Sequence, residues 1–99
     1  MNYSSKYRLT HDSKLAEIEQ SVLFKIYHHG GISINAKILQ QEGIHVGDFE
    51  TDSASFIGYT IYTFVSSDNI FQRIEDDKGT CKSTRHFIQG QWSEWIPKL

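Results

Sequence analysis

Cysteine is nearly absent from this sequence, and long apolar runs are absent altogether. Cys81 is the single cysteine, so it cannot form a disulfide within the chain, and no adjacent base activates its thiol. We expect it to be a small, packed side chain. The longest apolar stretches, such as 61–65, are far shorter than the roughly 20 residues that span a bilayer, so we expect no membrane insertion.

A strong charge of one sign and a leader pattern are also missing. Ten basic and twelve acidic residues give a net charge of -2, which provides no electrostatic attraction for nucleic acid. Lys6 and Arg8 are not followed by the apolar stretch of a signal peptide. With 38% hydrophobic and 13% aromatic residues, the chain is predicted to fold as one compact, soluble unit with a single modest core.

The first part of the chain, residues 1–48, is predicted to contain an arm, a short helix and a pair of strands. Leu15, Ile18 and Val22 recur at intervals of three and four residues. This periodicity predicts a helix over residues 12–22. Its apolar stripe suits either packing on its own domain or a coiled-coil seam between neighbouring chains.

Two short strands and a loop are predicted after this helix. Residues 23–28 and 32–34 are rich in β-forming residues, and the two glycines at 30–31 predict a turn between them. The stretch 43–55 bears glycines and then becomes acidic and rich in Ser and Thr. It has neither a helical nor a strand period, so it is predicted to be a loop.

Residues 49–99 are predicted to form a C-terminal β-knob built as a small antiparallel meander. Residues 56–65 give the strongest strand pattern, and because both faces of that strand are largely apolar we expect it to be central. Turn chemistry and alternation then divide the rest into a strand, a turn, a strand and a closing segment. The predicted bounds are 66–69 (turn), 70–76 (strand), 77–79 (turn), 80–88 (strand), 89–90 (turn) and 92–95 (closing segment).

The most specific feature is the order of motifs near the end of the chain. A strand segment with Gln72 and a turn with Gly79 precede a strand with Arg85, and Gly90-Gln-Trp-Ser-Glu-Trp95 follows. This order resembles the pyocin-knob module at the distal end of tail fibres of phages and phage-derived bacteriocins. The resemblance covers residues 57–95.

The resemblance implies a phage tail-fibre knob that is not an enzyme. Such a knob would be a homotrimer, would reside in the virion, and would attach to a polysaccharide on the bacterial surface. The alternative is a structural role in the virion, as an assembly, capsid-decorating, trimerisation or chaperone domain without receptor contact. Both hypotheses include the chain itself as a partner.

Two groups of residues are given roles. Polar residues in the predicted loops and turns are candidates for binding a ligand, because such positions change without disturbing the strands. They are Asp52, Ser53, Ser67, Asp68, Asn69, Asp77 and Lys78. The other group is structural and consists of Gly79, Gly90, Arg85, Trp92 and Trp95. The two tryptophans are expected to seal the core, with Arg85 stacked on a ring or paired with Glu94.

Metal and cofactor sites are not predicted. Five histidines are present, but the adjacent His28 and His29 would point to opposite faces of a strand and cannot hold one ion together. No glycine-rich phosphate loop, Cys-x-x-Cys pair or nucleophile elbow occurs.

Catalysis is not predicted either. Glycoside hydrolysis needs two carboxyl groups across a sugar cleft. The acidic pairs are Asp76 with Asp77, which fits turn chemistry, and Glu50 with Asp52, which fits a solvated loop. We therefore expect a binding protein.

Overall fold

The structure is a computed structural model, and it describes residues 25–99. The predicted arm and the predicted helix over 12–22 lie outside the described residues. Among residues 25–99, no helix is both long and apolar enough to cross a membrane.

The described chain forms one sheet of six strands. In chain order the strands are β1 (Ile26–Ser33), β2 (Gly43–Glu50), β3 (Ser55–Ser66), β4 (Asn69–Glu75), β5 (Cys81–Ile88) and β6 (Gln91–Trp92). Their order in the sheet is the same as their order in the chain. The prediction of a mainly β fold is therefore confirmed.

The sheet is mixed and not purely antiparallel as predicted. β1 pairs with β2 in parallel, whereas every later pair is antiparallel. Parallel neighbours cannot be joined by a tight turn, so the chain must cross over one face of the sheet between them. Residues 34–42 make this crossover, and they include a short 3-10 helix, Lys37–Gln40.

The core lies between the sheet and this crossover. Phe49 from β2, Ile61 from β3 and Ile74 from β4 alternate onto the covered face, and all three are fully buried. Ile34 and Leu39 from the crossover pack on them. The segment after β6 covers the same face further along the sheet, where Trp95 and Leu99 pack against the core.

Two predictions about the first strands are wrong. The glycines at 30–31 do not turn the chain, because β1 runs through them with an irregularity in its pairing to β2 between His29 and Ile32. Residues 43–50 are a strand and not a loop. The short loop that remains between β2 and β3 is 51–54. The domain boundary expected at 48/49 falls inside β2.

The predictions for β3, β4 and β5 are confirmed to within a residue or two at each end. β3 lies between β2 and β4, so it is interior as predicted. Gly79 has a φ of 81° in the β4–β5 turn, as the turn chemistry predicts. The expectation of a packed Cys81 is wrong, because its side chain lies at the start of β5 and is exposed.

Candidate functional site

A cavity of about 400 Å³ lies where the end of the chain meets the crossover and the β2–β3 loop. The elements around it are distant in sequence but are fixed to one sheet. The chain after β6 runs back beside β5, where Thr84 and Ile96 exchange two backbone hydrogen bonds. The residues that line the cavity are Ile34, Asn35, Thr51, Arg85, Ser93, Glu94, Trp95, Lys98 and Leu99.

Arg85 is the central side chain of this region. It projects from β5 onto the covered face and is only 9% exposed. Its guanidinium carbon lies 4.0 Å from the ring centre of Trp92 and 4.7 Å from that of Trp95. Arg85 thus makes a cation–π contact with each of the two tryptophans, which the turn at Gly90 brings back onto the sheet.

A chain of buried hydrogen bonds holds Arg85 in place. Its Nε donates to Oε1 of Gln72 at 2.7 Å, and its Nη1 donates to Oδ1 of Asn35 at 2.9 Å. Gln72 in turn donates from Nε2 to the Leu39 carbonyl and to Oγ1 of Thr63. The sheet and the crossover are joined by these contacts, which fix the orientation of the guanidinium.

Two nitrogens in this region have no hydrogen-bond partner among residues 25–99. They are Nη2 of Arg85 and Nε1 of Trp95, and both are buried. Burial lowers the pKa of Arg85 to about 10, which still leaves it charged at neutral pH. Within residues 25–99 the ion pair that forms is between Arg73 and Glu75, so Arg85 has no carboxylate partner there.

A second polar cluster lies between β1 and β2. His45 is fully buried, and its Nε2 lies 2.9 Å from the Gln41 carbonyl oxygen. That nitrogen must therefore carry the proton and donate, which leaves Nδ1 to accept from Nε2 of His29 at 3.0 Å. The ring of Tyr27 stacks on His45 with a centroid distance of 4.8 Å.

The side chains of His29 and His45 are joined by a hydrogen bond. Burial lowers the pKa of both His29 and His45, and the charge of His45 lowers that of His29 further. In the part of the chain that the structure describes, no three His, Cys, Asp or Glu side chains form a group that would hold a metal ion. His28 pairs with Val46 and His29 with Gly47, so these two histidines alternate to opposite faces.

The ligand-binding candidates from the sequence lie at two opposite ends of the sheet. Asp52 and Ser53 are in the β2–β3 loop, and Asp77 and Lys78 are in the β4–β5 turn at the same end. Ser67 and Asp68 form the β3–β4 turn at the other end, and Asn69 is the first residue of β4 beside it. None of the seven lines the cavity.

Sequence reasoning identified Arg85 and Trp95, but assigned them a structural role only. It missed the other polar lining residues, Asn35, Thr51, Ser93 and Lys98, which no local motif marks. Their common feature is proximity to the tryptophan pair after folding. No family model matches the chain, and neither a curated protein nor a solved structure shows significant similarity to it.

The cavity has the properties of a binding site. It combines an aromatic ring, a buried cation and several hydrogen-bonding groups, all carried by a rigid sheet and the segments packed on it. Glu94 is the one acidic residue among its lining residues. The arrangement therefore suits recognition of a small polar ligand.

Proposed function

We propose that this chain is a non-catalytic, receptor-binding knob of a phage tail fibre, which attaches as a homotrimer to a glycan on a bacterial surface. The observation that carries the proposal is the cavity beside Arg85 and Trp95. It lies next to the Gly-x-Trp-x-x-Trp segment through which the sequence resembles pyocin-knob modules. The cavity and the motif of the resemblance therefore lie in the same region of the molecule.

A glycan fits the chemistry of this cavity. Sugar rings present C–H faces that pack on aromatic rings, and their hydroxyl groups exchange hydrogen bonds with polar side chains. The cavity offers the ring of Trp95 together with Asn35, Thr51 and Ser93. Because a fibre carries several knobs, weak binding at each cavity is sufficient for attachment.

Binding without cleavage is favoured by the composition of the lining. A glycosidase needs an acid and a second carboxylate or nucleophile on either side of the bond that breaks. Glu94 has no acidic counterpart among the lining residues. The knob is therefore proposed to hold its glycan intact.

Assembly into a homotrimer is supported by the face of the sheet that the crossover does not cover. Ile26, Phe71 and Ile88 alternate onto the face opposite the crossover, where they are 60%, 40% and 37% exposed. Contact with other copies of the chain would bury these side chains. A structural role in the virion, without receptor contact, would use the same face.

The proposal is tested with fluorescently labelled protein, intact bacteria of a broad panel, and their purified surface polysaccharides. We expect saturable binding to the cells and the polysaccharide of a susceptible strain, with no release of reducing sugar ends. Absence of binding across the panel would favour the structural role. Release of reducing ends would show that the protein is an enzyme.

A further inference from the structure

Two buried N–H donors without acceptors belong to residues that line one cavity. Nη2 of Arg85 and Nε1 of Trp95 are both buried, and neither has a partner in the part of the chain that the structure describes. Buried polar groups without partners are rare in folded proteins, because such groups lose their hydrogen bonds to water and gain nothing in return. Two of them in contacting side chains call for a shared explanation.

The charge of Arg85 is also uncompensated by any carboxylate of the described residues. Its two hydrogen bonds run to the amide oxygens of Gln72 and Asn35, which are neutral. Stacking on the rings of Trp92 and Trp95 covers the faces of the guanidinium but supplies no acceptor in its plane. A purely structural clamp therefore leaves one edge of the guanidinium without a counterpart.

The remaining charges around the cavity limit the charge of the ligand. Arg85 and Lys98 each contribute one positive charge, and Glu94 contributes one negative charge. The side chains of the lining therefore carry a net charge of about +1, since two of them are cationic and one is anionic. A group with a single negative charge is matched, whereas Glu94 disfavours a second negative charge.

We propose that this cavity, the glycan site of the function proposed above, binds the carboxylate of an acidic sugar such as a uronic acid. Both residues line the cavity, and a small shift of the lining side chains exposes Arg85 Nη2 and Trp95 Nε1 as donors to the carboxylate, while Lys98, also in the lining, adds a second positive charge. The inference rests on the proposed function and specifies its ligand. The carboxylate supplies the acceptors that both donors lack and the charge that Arg85 lacks.

The test compares two sugars that differ only in the carboxylate. D-glucuronate and D-glucose are titrated into the full-length, isotope-labelled protein, and NMR follows the indole N–H signals of Trp95 and Trp92 and the guanidinium signals of Arg85. We expect the shifts of the Trp95 and Arg85 signals to give an apparent affinity for glucuronate at least about tenfold higher than that for glucose. The loss of one charged hydrogen bond predicts a difference of this size.

Matched variants separate hydrogen bonding from packing. Trp95→Phe keeps an aromatic ring and removes the unpartnered N–H, and we expect it to weaken glucuronate binding about tenfold. Trp92→Phe is the control, because Trp92 also stacks on Arg85 but does not line the cavity. We expect Trp92→Phe to bind glucuronate nearly as well as the wild type.

Several outcomes would overturn the inference. Equal shifts with glucose and glucuronate would show a glycan site without carboxylate selectivity and would leave the proposed function intact. Tighter binding of inorganic phosphate than of glucuronate, or equal glucuronate affinity of wild type and Trp95→Phe, would also contradict it. If glucuronate shifts both signals while no cell or polysaccharide is bound, the carboxylate site stands and the proposed function fails.

Discussion

At the scale of single residues, the buried side chain of Gln72 connects the site to the core. It accepts from Arg85 and donates to the Leu39 carbonyl and to Thr63. We expect Gln72→Leu to reduce the free energy of unfolding by about 3 kcal/mol, because it leaves a buried, charged donor without an acceptor. Urea denaturation of the wild type and the variant measures this difference.

Thr63→Val is the matched control for this network. It removes the hydroxyl that donates to the Leu39 carbonyl, but this carbonyl still accepts from Gln72 at 2.8 Å. The expected cost is about 1 kcal/mol, since no buried charged group loses its partner. Equal costs for the two variants would contradict the role given to Gln72.

The histidine pair between β1 and β2 predicts a dependence of stability on pH. Burial lowers the pKa of His29 and of His45 in the folded protein. The unfolded chain therefore binds more protons below about pH 6.5, and stability falls as the pH decreases through that value. Protonation of His45 at Nδ1 also places two N–H groups against each other.

Thermal melting between pH 8 and pH 5 measures this effect. His29→Gln should reduce the decline in melting temperature on acidification, because one of the two shifted groups is removed. His86→Gln is the control, since His86 is exposed and lies outside the pair. A melting temperature that increases as the pH is lowered from 7 to 5.5 would contradict this account.

At the scale of strands and turns, Gly47 decides whether β1 and β2 can pair. Its φ is 137°, and a Cβ atom added there would lie 1.9 Å from the carbonyl oxygen of His29. At Gly30 in β1, no atom of residues 25–99 lies within 4 Å of such a Cβ. We expect Gly47→Ala to cost about 4 kcal/mol or more and Gly30→Ala to change stability by about 0.5 kcal/mol or less.

Chemical denaturation of both variants measures the difference. The two substitutions add the same methyl group to paired strands, so only the local geometry differs. Similar stabilities of the two variants would show that β1 and β2 do not approach each other as closely at Gly47 as described.

The same strands show why the sequence predicted only part of the fold. β3, β4 and β5 alternate clearly and are separated by turn residues, so each was predicted from local pattern alone. β2 was missed because its buried positions include His45 and Gly43, and because Gly47 breaks the alternation of apolar residues. Polar burial and close backbone approach depend on tertiary partners, which local patterns do not contain.

At the scale of the whole molecule, the site could be predicted only in part. Arg85 and Trp95 lie in the segment that carries the family resemblance, so the sequence drew attention to them. Asn35 and Thr51 reach the cavity because the crossover and the β2–β3 loop meet the end of the chain after folding. The parallel pairing of β1 with β2 brings these segments together, and this pairing was not predicted from the sequence.

Assembly of the full chain is predicted from the apolar residues on the face opposite the crossover. We expect a homotrimer, because contact with other copies of the chain would bury the apolar side chains that Ile26, Phe71 and Ile88 expose on this face. Light scattering coupled to size exclusion should give three times the chain mass of 11.4 kDa. A mass of 11.4 kDa at micromolar concentration would contradict the prediction.

The central claim is that the cavity beside Trp95, and not the loops at the ends of the sheet, holds the receptor. Lys98 lines the cavity and Lys78 lies in the β4–β5 turn, and both side chains are exposed. Lys98→Glu and Lys78→Glu therefore make the same change of charge at two competing sites. The decisive measurement is binding of each labelled variant to cells that bind the wild type. Our account predicts that Lys98→Glu loses about tenfold or more in apparent affinity while Lys78→Glu binds like the wild type. Loss of binding by Lys78→Glu with full binding by Lys98→Glu would contradict it.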